Sequence, residues 1–348
     1  MKSQARDGCQ RKGRAIKAKV KKTLVLLLRI AISLGLIAWI LMNVDRTQLL
    51  ESMRTIDPGF LLLAQAAYFV VNGICAWRWQ VLLAGRGVAV GYPRLLRYFL
   101  NGLFFGNFLP TTVGGDLMRA YLVSDDCGTR SEALASVLVD RFIGLFGVIV
   151  TGVIGLILVA RTGQEAALLR YMALGVGLTL ALLAVFLNKG IMRRFRVLLR
   201  LPLVNRLEQK LVEFYHSLYV YRSQRREVAL ALALSLLVQL GVVLTVFVIS
   251  RALGSDISIT PFFLYMPVIA AVSMLPVSIN GWGLMEGAFI VFFGRAGMSG
   301  TEALTLGFIY HLVAVAVSLS GGVLWLILGR GRRPKTECLT GTGGPGDA

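Results

Sequence analysis

The residues of this chain with the clearest chemical potential are ionisable side chains that interrupt long apolar stretches. Asp116 and Arg119 stand three residues apart, Asp140 and Arg141 are adjacent inside an apolar run, and Glu286 follows a second broken stretch. An ionisable side chain in hydrocarbon costs on the order of several kcal/mol unless it pairs or faces a polar cavity. These positions therefore indicate either a site for a ligand or a set of buried ion pairs.

Asp116 and Arg119 are predicted to share one face at the start of a short helix, where they can form an ion pair. The guanidinium of Arg119 would bind a phosphate through its fork of donors. Asp116 would either orient that guanidinium or contact a cationic headgroup. Gly114 and Gly115 would let backbone amides approach the same anion. The alternative is that Asp116 only caps the helix.

Asp140 and Arg141 cannot satisfy each other well, because adjacent residues point to different sides of a helix. Each therefore needs another partner, and Arg119 is the first candidate for Asp140. Two interpretations stay open for this pair: direct contact with a lipid, or a buried structural interaction that fixes the register of the helices.

Glu286 begins the return arm of the second broken stretch, with Asn280, Gly281 and Gly283 forming the bend before it. The carboxyl group could titrate and couple movement to protons, or it could accept an amine headgroup. A capping or packing role is the alternative.

Two further polar residues lie inside apolar runs. Arg78, between two tryptophans, is predicted to extend its charge to the membrane interface. His311 is predicted to be a hydrogen-bonded polar residue rather than a proton relay.

The elements that must position these side chains are membrane-spanning helices. Of the 348 residues, 56% are apolar and 16% are charged, and the mean hydropathy is +0.71, which excludes an ordinary soluble domain. The fold class predicted is an all-α polytopic membrane protein with six full spans, since about 20 apolar residues cross a bilayer. The predicted spans are Thr23–Asn43, Gly59–Leu83, Ala133–Ala160, Leu168–Leu187, Val228–Ser250 and Ala303–Leu328.

Two more apolar regions, Leu95–Val123 and Pro261–Gly294, are broken by proline and glycine and are predicted to be interrupted or re-entrant. Each contains Leu-Pro, at Pro110 and Pro276, then a glycine break, then Leu-Met beside a carboxylate. The resemblance suggests an inverted repeat around a site near the membrane midplane, with Asn107 just before the first break.

The basic residues are distributed as topology signals, which places both termini in the cytoplasm of a cell or inner membrane. The net charge of +19 is therefore not taken as a sign of nucleic-acid binding. Residues 1–22 carry nine Lys/Arg and form a predicted basic tail, 23–330 form the membrane domain, and 331–348 form a second tail. Within the domain, 189–226 are predicted to be a cytoplasmic amphipathic connector.

No metal or cofactor is predicted. The four cysteines have none of the paired spacings of metal or redox motifs, and the two histidines are far apart.

These motifs resemble a known family. Asn-x-x-Pro-x-x-x-Gly-Gly-Asp-x-x-Arg from Asn107, Val-Asp-Arg at 139–141 and Leu-Pro-x-Ser-x-x-Gly-x-Gly-x-x-Glu-Gly at 275–287 are similar to the flippase-like membrane proteins, of UPF0104 type, that are related to the transmembrane region of lysyl-phosphatidylglycerol synthase. The resemblance covers roughly 22–330. It implies lipid handling or translocation, and it does not imply lysyl transfer, because no large soluble domain follows the last span.

Three functions remain open at this point. The leading hypothesis is binding or translocation of a phospholipid or polyprenyl-linked lipid. The second is an integral-membrane enzyme acting on lipid phosphates, against which the sequence offers no catalytic cluster, so that an enzyme is less expected. The third is a subunit that anchors a glycosyltransferase or other lipid-modifying enzyme as its partner.

Overall fold

In the part of the chain that the structure describes, long apolar runs form four helices that are long enough to cross a bilayer. In the computed structural model they are α1 (Pro58–Ala84), α4 (Arg130–Ala160), α5 (Arg225–Ala252) and α8 (Gly300–Leu328). The shortest has 27 residues, whereas about 20 suffice for a span. These helices confirm four of the six predicted spans, at 59–83, 133–160, 228–250 and 303–328.

Each of the two broken regions forms a pair of short helices. The first region folds into α2 (Tyr92–Phe108) and α3 (Gly114–Val123), and the second into α6 (Thr260–Ser273) and α7 (Leu284–Arg295). We call α2 with α3 the first hairpin and α6 with α7 the second hairpin. The interruption of both regions is thus present, and the part of the chain that the structure describes is helical, without a strand.

The structure describes residues 56–108, 114–160, 224–273, 278 and 280–329, together with single helical positions at 31, 35, 38 and 42. The predicted span 168–187, both tails (1–22 and 331–348) and all but the last three residues of the connector 189–226 lie outside these residues. So does the predicted span 23–43, apart from its four helical positions.

Helices α1 and α5 pack side by side and run in opposite directions. The side chain of Gln224, before α5, donates to the carbonyl of Gly85, after α1. At the other end the amide of Asp57 donates to the carbonyl of Ala252, 3.4 Å away. Near the middle, Gly241 faces Val71. The two helices are therefore antiparallel along their whole length.

The eight helices whose bounds are given above form two halves with the same packing plan: α1 to α4 and α5 to α8. Within each half, the first helix packs on the second, the hairpin arms pack together, and the third helix packs on the fourth. Between the halves, α2 packs on α8 as α6 packs on α4. Since α1 and its counterpart α5 are antiparallel, the predicted inverted repeat agrees with this arrangement.

Each half has its own apolar core. One cluster holds Trp79, Leu95, Phe99 and Val123 from the first half, all buried. The other is built mainly on the second half and includes Phe262, Phe289 and Phe293. Each core thus surrounds one hairpin, while the first arm of each hairpin also packs on a long helix of the other half, α2 on α8 and α6 on α4.

The two ends of the bundle differ in charge. At the end where α1 stops and α4 and α5 begin, Arg86 pairs with Glu132 at 2.9 Å and Arg94 pairs with Asp126 at 3.1 Å. We call this the basic end, because Arg97, Arg130, Arg225 and Arg226 also belong to it. Asp57, Arg251, Asp256, Arg295 and Glu302 belong to the opposite end. The first hairpin has its base at the basic end and the second at the opposite end.

Candidate functional site

The centre of the first half is a carboxylate held between two guanidinium groups. Asp140 on α4 accepts from Arg78 Nε at 2.8 Å through Oδ1 and from Arg119 Nη2 at 2.9 Å through Oδ2. All three residues are buried, with Asp140 only 1% exposed. Arg78 also donates from Nη1 to Ser235 on α5 at 2.9 Å. The cluster thereby ties α1, α3, α4 and α5 together.

Aromatic rings enclose the guanidinium of Arg119. Its Cζ lies 4.3 Å from the ring centroid of Trp79 and 4.4 Å from that of Phe99, within the range of cation–π attraction. The Trp79 indole is fixed in turn by donating to Ser136 at 3.2 Å. Arg119 still has donors to spare, because its buried Nε has no hydrogen-bond partner among the described residues.

Next to this cluster lies a more exposed ion pair. Asp116 Oδ1 accepts from Arg141 Nε at 3.0 Å and from Nη2 at 2.9 Å. The side chain of Arg141 is 55% exposed, whereas that of Asp116 is 16% exposed. Arg119 Nη1 approaches the same oxygen only to 3.9 Å, so the predicted pair between Asp116 and Arg119 is long and Arg141 is the main partner.

Together these residues carry an excess of positive charge. Three guanidinium groups, of Arg78, Arg119 and Arg141, face two carboxylates, of Asp116 and Asp140. One positive charge is left over, and the guanidinium with unused donors is Arg119. Such an arrangement favours an anion with a single negative charge, bound beside the exposed Arg141 with the buried Arg119 behind it.

The structure corrects the expectation for Arg78. Its side chain does not extend to the interface; it is 6% exposed and bonded to Asp140 and Ser235. The physical reason is that Asp140 would otherwise be a buried carboxylate with one partner, and Gly144 on α4 leaves room for the guanidinium. Sequence analysis missed this residue because its flanking tryptophans are typical of an interface position.

The other partners expected for the adjacent pair on α4 are present. Asp140 bonds to Arg119, as anticipated, and Arg141 turns to Asp116 on the neighbouring hairpin. The two adjacent side chains thus point to different groups.

The second half holds a different cluster at the equivalent place. Glu286 on α7 accepts from the backbone amide of Gly283 at 2.7 Å through Oε2, and its Oε1 lies 2.9 Å from His311 Nδ1 on α8. Both residues are buried, Glu286 3% and His311 4% exposed. The capping interaction anticipated for Glu286 is therefore real, and the carboxylate has a second partner that sequence analysis did not assign.

Trp282 completes this cluster. Its ring stacks on the His311 imidazole with centroids 3.8 Å apart and planes 23° apart. This contact could not be predicted from the sequence, because Trp282 and His311 are far apart along the chain. It arises because α7 and α8 run side by side.

The tips of the two hairpins meet. Asn280 Nδ2 donates to Asn107 Oδ1 at 2.5 Å, joining the turn before α7 to the end of α2. The second tip turns through left-handed backbone, at Asn280 with φ 49° and at Gly281 and Gly283 with φ 82° each. Pro110 and Pro276, the other predicted tip residues, lie outside the described residues.

Two glycines of the first hairpin allow its arms to come close. A Cβ atom on Gly115 would overlap the carbonyl oxygen of Gly102, and one on Gly102 would overlap the stem of Arg119. Gly114 and Gly115 are buried at the start of α3. The missing side chains of Gly102 and Gly115 let the two arms pack closely, with Arg119 against Asp140.

Comparison with known proteins places the chain. The family model described as the lysylphosphatidylglycerol synthase TM region matches residues 26–322. The chain belongs to this family. Among its relatives is a UPF0104 membrane protein of Methanothermobacter thermautotrophicus, 23% identical, with 84% of this chain and 92% of the relative covered. The UPF0104 membrane protein MJ1595 of Methanocaldococcus jannaschii is also 23% identical, with 90% and 97% covered.

Membership makes the chain a multi-pass membrane protein, in agreement with its four long apolar helices. The match spans both hairpins and both buried clusters. Within the described residues no group of three or more His, Cys, Asp or Glu side chains is placed to hold a metal ion.

Proposed function

We propose that this protein binds the headgroups of membrane lipids and moves them across the bilayer at the junction of its two hairpins. The observation that carries the proposal is the contact of the hairpin tips through Asn107 and Asn280, with a buried charged cluster on the return arm of each hairpin. On this route a headgroup would pass the ionisable residues of the two clusters. Such residues are costly in hydrocarbon unless they are paired or face a polar cavity.

The lengths of the hairpin arms support a position inside the membrane. Helix α3 has 10 residues and α7 has 12, which at about 1.5 Å per residue is far short of a hydrocarbon core about 30 Å thick. Their bases lie at opposite ends of the bundle and their tips touch. The return arms are thus too short to span, which supports the proposal that each hairpin enters from its own side and turns back within the membrane, the arrangement used where broken helices line a substrate site.

The charge balance of the first half supports an anionic headgroup. A phosphodiester carries one negative charge, which matches the one positive charge in excess among Arg78, Arg119, Arg141, Asp116 and Asp140. Arg119 offers the unused donors and Arg141 the exposed rim. A phosphate oxygen would compete with Asp116 for Arg141, so that binding of the lipid opens that pair.

The family's description is consistent with this ligand. Lysylphosphatidylglycerol synthase is named for a phospholipid product, and the matched part is its transmembrane region. A phospholipid or a polyprenyl-linked lipid would present the same phosphate chemistry to Arg119 and Arg141.

The orientation proposed places the basic end in the cytoplasm, because arginine excess marks the cytoplasmic side of a cell membrane. Arg86, Arg94 and Arg225 lie at this end. The first hairpin then opens to the cytoplasm and the second to the outside, with both termini cytoplasmic.

A reconstituted assay tests the proposal. Proteoliposomes with fluorescent phospholipid in both leaflets are treated with a reductant that cannot cross the bilayer. In empty liposomes only the outer label is bleached. We expect wild-type protein to expose the whole label, and Asp116→Asn and Arg119→Ala to lose this activity while still accumulating in the membrane.

Arg226→Gln is the matched control, since Arg226 is an exposed arginine at the start of α5, away from both hairpin tips. It should behave as wild type. Full bleaching by both site variants would contradict the proposal. A protected inner label with wild-type protein, for phospholipid and polyprenyl phosphate alike, would also contradict it and would favour the anchoring of a lipid-modifying enzyme.

A further inference from the structure

We infer that Glu286 and His311 form a proton-binding site that controls the tip of the second hairpin. The effect of this site on lipid movement rests on the function proposed above, whereas proton binding itself does not. The inference comes from the equivalence of the two halves, from the complete hydrogen bonding of Glu286 and from the stacking of Trp282 on His311.

The Glu286–His311 pair occupies the place of the Arg119–Asp140 pair. Aligning Leu117-Met118 with Leu284-Met285 puts Arg119 at the position of Glu286. Their partners are also equivalent: Asp140 lies ten residues after the first residue of α4, and His311 lies eleven after the first residue of α8. Each pair joins the return arm of a hairpin to the long helix that follows it, with the acid and the base exchanged.

The exchange replaces a permanent charge with one that can change. A guanidinium stays protonated in proteins, so the pair in the first half is fixed. An imidazole ordinarily changes its charge between pH 5 and 8. Neutral His311 beside ionised Glu286 leaves one negative charge in a buried site, and uptake of one proton from water by the imidazole converts the two groups into a neutral ion pair.

Glu286 is 3% exposed, so an amine headgroup could reach it only if the closed site opened. Its Oε2 is occupied by the Gly283 amide and its Oε1 by His311. The proton is the ligand that this arrangement accepts without breaking either contact.

Among the described residues, the surroundings of the pair supply no other counter-charge. The rings of Tyr310 on α8 and Tyr68 on α1 contact each other with centroids 5.7 Å apart, and Tyr265 lies on α6. The other charged residues on the helices that pack around the pair lie near helix ends or have partners of their own. Glu302 lies nine residues from His311 on α8, and Arg295 lies nine residues from Glu286 on α7, roughly 13 Å in each case. On α5, Arg225, Arg226 and Glu227 lie in the first turn, at the other end of the bundle, and Arg251 pairs with Asp256. On α1 and α2, Arg78 pairs with Asp140, Arg94 pairs with Asp126, and Arg97 lies over the Tyr98 ring.

The pair is coupled to the tip through the backbone. Gly283, which donates to Glu286, has φ 82° and lies three residues after Asn280, the residue that touches the first hairpin. Trp282 lies between them and stacks on His311. With the proton bound, the ion pair holds α7 and the tip closed; loss of the proton leaves a buried net charge, which destabilises the closed tip.

The fluorescence of Trp282 can report proton binding at His311, because a protonated imidazole stacked on an indole quenches the fluorescence of the indole. Intrinsic fluorescence of the purified full chain is followed between about pH 5 and 9, the range in which an imidazole titrates. We expect a single transition, with emission rising as the pH rises. The transition should disappear in His311→Gln and in Trp282→Phe.

Glu286→Gln distinguishes a charge effect from a packing effect. It keeps the size of the side chain and an acceptor for the Gly283 amide, but it removes the negative charge and replaces the second acceptor by an amide donor. The transition should therefore move to lower pH by about one unit or more. A flat wild-type titration, or a transition that persists in His311→Gln, would overturn the inference, and so would an unchanged midpoint in Glu286→Gln.

A second experiment measures lipid movement in the proteoliposome assay at the two ends of this pH range. We expect movement by wild type to depend on pH and movement by His311→Gln not to. If the fluorescence transition is present but no lipid moves at any pH, the proton site stands and the proposed function fails. If lipid moves but the fluorescence does not titrate, the reverse holds.

Discussion

The two halves of the molecule share one packing plan and differ in the chemistry of one pair of residues. In the first half the hairpin and the following helix are joined by Arg119 and Asp140, with Arg78 as a third member. In the second half they are joined by Glu286 and His311. The scaffold of a repeat can thus stay the same while one copy carries a guanidinium in this pair and the other an imidazole.

The difference extends to what each cluster can bind. The first has surplus positive charge and unused donors on Arg119, which suits an anion. The second has a carboxylate whose two oxygens are both occupied, which suits a proton. Four substitutions test how far this contrast between the halves holds.

The largest effect is expected from Asp140→Asn. This change leaves Arg78 and Arg119 as buried cations without their counter-charge, and breaking a buried ion pair costs about 3–5 kcal/mol. The free energy of unfolding should fall by this amount, as measured by thermal unfolding in detergent. His311→Gln, at the equivalent place, should cost less, because it leaves one buried charged group instead of two, and Glu286 keeps its bond from the Gly283 amide and can accept another from the Gln amide.

Asp125→Asn is the matched control for that prediction, since Asp125 is an exposed aspartate near the same hairpin. Its effect should stay within about 0.5 kcal/mol. Equal losses for Asp140→Asn and Asp125→Asn would contradict the account of the buried cluster.

The next effect is expected from Gly115→Ala in the first hairpin. The added methyl group would meet the carbonyl oxygen of Gly102 on the facing arm, and overpacking of this kind costs about 1–3 kcal/mol. Gly287→Ala in the second hairpin is the control, because its methyl group would enter open space. Thermal unfolding should show a loss for the first and no loss for the second; a reversed order would break the comparison of the hairpins.

A smaller effect is expected from Ser235→Ala. Arg78 Nη1 would lose its acceptor on α5, and a buried donor without a partner costs about 1–2 kcal/mol. Ser318→Ala is the control, since Ser318 is equally buried but bonds only to the carbonyl of Val315 in its own helix. If unfolding measurements give the two serines equal effects, the bond from Arg78 contributes nothing.

Much of this architecture could be predicted from the sequence, because long apolar runs and breaks at Pro-Gly pairs are local signals. The partnership of Asp140 with Arg119 could be anticipated from the need of a buried carboxylate for a cation. The burial of Arg78 could not, since it depends on the antiparallel packing of α1 against α4 and α5. The stacking of Trp282 on His311 has no local signal either, because 29 residues separate them.

The smallest effect is expected from Asp126→Asn at the base of the first hairpin. Burial raises the pKa of the Asp126 carboxyl above its ordinary 3.8, against the opposing effect of Arg94, and its Oδ2 has no hydrogen-bond partner among the described residues. A raised pKa means that the folded protein holds this proton more tightly. The stability gained from it is therefore fully present below about pH 4 and is lost as the pH rises through the folded pKa.

Asp126→Asn should remove this dependence and leave stability at neutral pH unchanged or raised by less than about 1 kcal/mol. Thermal unfolding of both proteins across the acid range measures it. A variant that loses stability steeply at neutral pH would show that the pair with Arg94 outweighs the cost of burial.

The central claim is that the hairpin tips meet and must separate for lipid to move. Asn107→Cys and Asn280→Cys, introduced together with the four native cysteines replaced, can be joined by a short bifunctional thiol reagent that is reversed by reduction. In the proteoliposome assay we expect the cross-link to form, to stop lipid movement and to release it on reduction. Failure to cross-link, or movement at an unchanged rate in the cross-linked protein, would contradict the account.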